Sequence, residues 1–354
     1  MLRLTPLNGE VRTMQNFVDP AILFFVFGVL AGALRSNLEI PKSIAKFLSL
    51  YLLMALGLKG GFALAQSGFT ATIALSLLAA VAMAFIVPVL GYGLLRNRVS
   101  RFDAAAVAAA YGSVSAVTFV TAVQFLEGAG LAPGGHMAVA MVIMESPAII
   151  MAVLLANAIR HSNPGFSPAL PTQSVGAAVA PAMTGSAAPL SLSKILRESF
   201  TDGAHLLLLG SMAVGYISGE AGKTMMQPFS GDLFKGMLAF FLLDMGLMVA
   251  RNFREALKTS SFLLGYAVAS PFVHAGLALG LALLLGLPVG DAALLMVLSA
   301  SASYIVVPAV LRYAIPEANP AIYFGLSLGV TFPINILVGI PLYASAASRV
   351  LGGP

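Results

Sequence analysis

The sequence predicts an all-α polytopic membrane protein. About ten transmembrane helices form a 5+5 inverted-topology repeat, with the fourth and ninth helices broken and crossing. Three observations lead there. Hydrophobic residues make up 59% of the 354 residues and charged residues only 9%, with a mean hydropathy of +0.94. A soluble domain carries about 25% charged residues, so this chain has too few to cover a water-facing surface. Long apolar segments recur along the chain. Two hydroxyl-rich stretches, residues 112–118 and 299–308, interrupt apolar surroundings and resemble each other.

A spanning helix needs roughly 20 apolar residues. The segments that qualify cover about 18–35, 44–66, 70–95, 103–127, 136–160, 200–219, 233–251, 260–286, 290–313 and 319–347. The first and sixth are short and read as partial or tilted spans. Residues 1–17 form a polar, proline-containing N-terminal tail with no apolar signal core, and Met14 is a plausible alternative start. Residues 18–160 make the first five-helix repeat and 196–350 the second. Between them, 161–195 reads as a flexible cytoplasmic linker, rich in Pro, Ala, Ser and Gly and without periodicity.

The halves match at five places in the same order. Gly57-Leu58 parallels Gly246-Leu247, and Pro88 parallels Pro271. Asp103 parallels Asp291, and Ser113-x-Ser115 parallels Ser301-x-Ser303. Glu145-Ser146-Pro147 parallels Thr331-Phe332-Pro333. An odd number of helices per repeat forces the second repeat to enter the membrane from the opposite side. Basic residues agree. Thirteen Lys and Arg fall in the odd-numbered loops and five on the other side, which places the odd loops in the cytoplasm and both termini outside. Lys59 lies within the second helix. The net charge of +5 therefore reflects membrane orientation and not a nucleic-acid surface. The expected setting is a bacterial cytoplasmic membrane.

Two broken helices crossing near the midplane bring two helix N-termini together. Their free N–H groups and partial positive charges make an anion site without Arg or Lys. Gly112, Ser113, Val114, Ser115, Ser301, Ala302, Ser303 and Tyr304 are the expected substrate-binding residues. Freed carbonyls and hydroxyls suit a hard cation such as Na⁺, with Thr118, Glu145, Ser299 and Asn335 as the expected ligands. The competing reading is that small residues simply permit tight helix packing. A carboxylate at membrane depth is costly, so Glu145 is read as a cation ligand or proton acceptor; the alternative is a helix-end residue near water. The following Ser146-Pro147 predicts a kink. Thr331 serves a second cation shell or an interhelical hydrogen bond. Lys59 and Asp244 are candidates for an intramembrane ion pair. Gln124 and Glu127 read as solvated, His274 as a packing histidine, and Asp103 and Asp291 as helix N-caps.

No cysteine is present, and neither an HExxH motif nor a phosphate-binding loop occurs, so the expectation is a non-enzyme without cofactor. A carrier predicts saturable, ion-dependent accumulation; a channel predicts none.

At these residues the chain resembles the SbtA-type sodium-dependent bicarbonate transporters. The similar stretches are Leu311-Arg312-Tyr313-Ala314-Ile315-Pro316-Glu317-Ala318-Asn319-Pro320, Gly112-x-Val114-Ser115-x-x-Thr118, Glu145-Ser146-Pro147-Ala148 and Gly57-Leu58-Lys59-Gly60-Gly61. The resemblance implies a gate domain and a core domain, Na⁺-coupled bicarbonate uptake, a homotrimer and, in cyanobacteria, a PII-like regulator. The linker is shorter and less charged than in regulated members, which argues against that regulator here. Tyr304 stands where cyanobacterial members carry Asp, Val306 and Val307 replace Ser and Gly, and Ala116 and Val117 replace Gly and Ser. These changes open the possibility of another small anion, such as a carboxylate, or of H⁺ coupling. Tyr304 is an alternative O–H donor to the anion.

Overall fold

The computed structural model describes residues 19–68, 70–162 and 203–352. The N-terminal tail, and the linker beyond Ser162, lie outside the described residues. The helices are α1 (Pro20–Ala33), α2 (Lys42–Ser67), α3 (Ala71–Leu95), α4 (Arg101–Gly112), α5 (Ala116–Gly128) and α6 (Met137–Ser162). After the linker come α7 (Gly203–Gln227), α8 (Leu233–Leu257), α9 (Ser261–Leu285), α10 (Val289–Ala300), α11 (Val306–Ala314) and α12 (Pro320–Leu351). Seven of the described helical runs are long and apolar enough to cross a membrane, and α1 and α10 are shorter apolar helices. Leu23, Phe24, Phe27 and Leu30 of α1 are exposed. In water this ridge would be costly, whereas in lipid it is solvated.

Local chemistry sets the boundaries. Asp19 accepts a hydrogen bond from Ala21 N, with Pro20 in the first turn of α1. Ser100 caps α4, Ser260 caps α9 and Asn319 caps α12, the last ahead of Pro320. The predicted short sixth span is α7, which continues to Gln227 through a kink at Gly219. There φ is 55° and ψ −142°, a conformation that favours glycine. α6 continues through Pro147 as one helix. α12 holds wide turns at Ser327–Thr331 and Asn335–Gly339, flanking Pro333.

The helices pack as two groups. In one, α1 lies on α8, α2 on α7, and α2 also meets α8. The repeat-matched Gly57 and Gly246 sit at these crossings. A Cβ on Gly57 would strike the Leu208 carbonyl oxygen, and one on Gly246 the Phe25 carbonyl oxygen, so the backbones approach as small residues permit. The other group comprises α3–α6 and α9–α12. At its centre are α4 and α10. Every residue from Ala104 to Gly112 is buried, as is every residue from Gly290 to Ala300. In α4 the Ala-rich run lets the helix be surrounded on all sides, and α10 is apolar all round.

Candidate functional site

The chain leaves helical geometry twice inside the second group. Ser113 follows α4 with φ −98° and ψ −179°, and α5 restarts after Ser115. Ser301 follows α10 with φ −80° and ψ 164°, and α11 restarts at Val306. The breaks are hydrogen-bonded to each other. Ser115 N donates to Ser301 Oγ at 3.0 Å, and Ser303 N donates to the Ala110 carbonyl at 2.8 Å. Ser301 Oγ in turn donates to the Leu298 carbonyl at 2.8 Å.

Each restarted helix is capped from its break. Ser115 Oγ accepts from Thr118 N at 3.2 Å and from Thr118 Oγ1 at 2.9 Å. Ser303 Oγ accepts from Val307 N at 3.3 Å. Gly112 lies against the Pro88 ring, where a Cβ would come within 2.7 Å of ring carbons. Asn335 donates through Nδ2 to the Ala300 carbonyl at 2.8 Å and accepts from the Tyr343 hydroxyl at 3.1 Å. It thereby satisfies the end of α10. Thr331 donates to the Ala267 carbonyl, which leaves the Tyr111 hydroxyl to donate to Thr331 Oγ1 at 2.6 Å.

The first residues of α5 and α11 line one cavity of about 80 Å³. Its walls include Val114, Ser115, Ser303 and Tyr304 from the breaks, Met141 and Glu145 from α6, Leu53 from α2 and His205 from α7. It therefore lies where the two helix groups meet. A water needs about 10–15 Å³ of such space, so this cavity has room for a few waters or one small ion. Two helix N-termini supply partial positive charge. The Tyr304 hydroxyl sits between Met245 Sδ, 3.8 Å away, and the Ser115 hydroxyl.

Of the expected site residues, the cavity gathers Val114, Ser115, Ser303, Tyr304 and Glu145. Gly112, Ser113, Thr118, Ser299, Ser301, Ala302 and Asn335 are not among its lining residues. Ser113 Oγ and Ser299 Oγ are buried without a partner. Among the described contacts, none joins Glu145 to Thr118, Ser299 or Asn335. The Glu145 carboxylate meets His205 Nε2, and both side chains are buried. His205 went unnoticed in the sequence because a histidine in an apolar stretch has no repeat partner or motif around it.

Several pairings differ from expectation. Lys59 binds Glu127 at 2.8 Å and stacks over Phe234, and not Asp244. The two ends of the Lys59–Glu127 pair are 22% and 33% exposed, so Glu127 is only partly solvated. Asp103 does not cap α4; Ser100 does, and Asp103 Oδ1 accepts from Asn319 N at 2.7 Å. Asp291 Oδ1 accepts from Gly134 N at 2.6 Å, with His136 Nε2 3.3 Å from its other oxygen. Each Asp thus pins the segment that follows the other broken helix. Among the described residues, no group of three or more His, Cys, Asp or Glu is placed to hold a metal ion; a Na⁺ carried as cargo would be held by oxygen atoms.

An all-helical multi-pass membrane protein with an ion-sized cavity between two broken helices has the build of a secondary transporter. The family model of the Na+-dependent bicarbonate transporter superfamily matches residues 20–348, and the chain belongs to that superfamily. No curated protein matches the chain.

Proposed function

We propose that the chain is a secondary active transporter that takes up bicarbonate with Na⁺ by alternating access. The observation that carries this reading is the cavity into which the first residues of α5 and α11 open, placed between the two helix groups. A small anion bound there is held by helix N-termini and the Ser115 and Ser303 hydroxyls. Relative motion of the α3–α6/α9–α12 group against the α1, α2, α7 and α8 group then exposes it to either side. The repeat-matched Asp103 and Asp291 contacts support a 5+5 inverted repeat of ten spanning segments. The charge distribution supports outside termini in a cytoplasmic membrane, and the family resemblance supports a homotrimer.

The apolar wall of Met141, Leu53 and Ile305 favours a second reading, in which the cargo is a small carboxylate. The test is uptake of labelled bicarbonate into proteoliposomes, with and without an inward Na⁺ gradient. Na⁺-driven accumulation that is lost in Ser303→Ala supports the first reading. Bicarbonate uptake that fails while labelled acetate accumulates supports the second. Flux without accumulation against a gradient makes the protein a channel. In the same assay, Tyr304→Phe lowers anion affinity if the hydroxyl donates to the cargo, and unchanged affinity removes it from the site.

A further inference from the structure

The pairing of Glu145 with His205 assigns His205 a part in coupling. Glu145 belongs to α6, in the group that contains the broken helices; His205 belongs to α7, in the other group. Both line the cavity and both are buried, at 4% and 5% exposure. A carboxylate in such a place is expensive unless something neutralises or hydrogen-bonds it. His205 Nε2 does this here. The neutral Nε2–H tautomer and the imidazolium both donate from that nitrogen, so the carboxylate is hydrogen-bonded in either state.

A second link between the two groups, the Lys59–Glu127 ion pair, shows the contrast. Its side chains are 22% and 33% exposed, so either end is rehydrated when the pair opens. Glu145, at 4% exposure, has only the few waters that the cavity can hold. Movement of α7 away from α6 leaves its carboxylate without this partner unless a cation takes the place of His205.

We infer that His205 and the coupling cation compete for the Glu145 carboxylate, so that cation entry breaks the buried link between α6 and α7 and movement without a cation is suppressed. This rests on the coupled-transport reading above and deepens it. Ser115 and Ser303 hydroxyls in the same cavity are the neighbouring oxygens for the incoming ion.

The test is made at one fixed pH. The Na⁺ concentration for half-maximal bicarbonate uptake is measured for the unmodified protein and for His205→Ala. In parallel, the melting temperature of each purified protein is compared in NaCl and in choline chloride at equal ionic strength. Removing the competitor lowers the half-maximal Na⁺ concentration of His205→Ala by about tenfold or more, the change that a hydrogen bond to a charged group represents. The Na⁺-dependent rise in melting temperature becomes larger. His205→Lys, a permanent cation on the carboxylate, loses Na⁺ stimulation. If His205→Ala folds poorly in choline, recovery in Na⁺ supports the competition. Recovery only through the added change Glu145→Gln, with no response of His205→Ala to Na⁺, overturns it. Equal Na⁺ responses in the unmodified protein and His205→Ala also overturn it. A larger Na⁺ stabilisation of His205→Ala without Na⁺-driven uptake by either protein upholds the competition and instead removes the proposed transport reading.

Discussion

The two helix breaks share a sequence pattern yet use it differently. In both, the second serine caps the restarted helix: Ser115 for α5 and Ser303 for α11. The first serines diverge. Ser301 links the Leu298 carbonyl to Ser115 N, whereas the repeat-related Ser113 finds no partner. The carbonyls they follow differ too. Ala110 is the repeat equivalent of Leu298, and its carbonyl is taken across the crossing by Ser303 N, whereas the Leu298 carbonyl takes Ser301 N and the Ser301 hydroxyl from its own break. An internal repeat therefore sets where the chain breaks, while the crossing itself decides which serine acts as the staple.

The comparison yields its largest effect at these serines. Ser301→Ala leaves Ser115 N unsatisfied at depth, while Ser301 N still reaches the Leu298 carbonyl, and costs about 1–3 kcal/mol. Ser113→Ala removes an unpaired hydroxyl and stays within about 1 kcal/mol of the unmodified protein. Thermal unfolding of the purified variants measures both; equal losses would show that the two breaks are equivalent.

The two aspartates extend the comparison. Asp291 is 3% exposed, and beyond its bond to Gly134 N it faces His136. Asp103 holds Asn319 N nearer the surface. Asp291→Ala costs about 1–3 kcal/mol and Asp103→Ala about 1 kcal/mol or less in the same assay. The reverse order would place the stronger tie on the first repeat.

The smallest effect concerns the loop ahead of α12. Burial pushes the Glu317 carboxyl up, but the Arg160 hydrogen bonds, 2.9 and 2.8 Å long, and the Arg160 charge more than offset this. They hold the carboxyl below its ordinary 4.5. A lowered folded value means that this stabilisation is present above 4.5 and is lost as pH falls through the folded value. Arg160 is 32% exposed, so solvent screens the pair and the loss is modest, about 1 kcal/mol or less. Melting temperatures taken at falling pH decline more for the unmodified protein than for Arg160→Gln, and parallel curves would remove the pair from the acid response.

Composition and spacing already contained the membrane class, the position of nearly every apolar helix, and both breaks, because hydropathy and the matched Ser-x-Ser stretches are local signals. The close-approach role of Gly57 and Gly246 was visible as a pairing, though its cause was not. Partner choice was another matter. Lys59 takes Glu127 and not Asp244, Asp103 and Asp291 reach across to other loops, and Glu145 meets His205. These contacts join residues far apart in the chain and depend on helix rotation and depth. Residue type and spacing determine that a buried charge or a broken helix needs a partner; only the packing of distant helices decides which group is near enough to supply it.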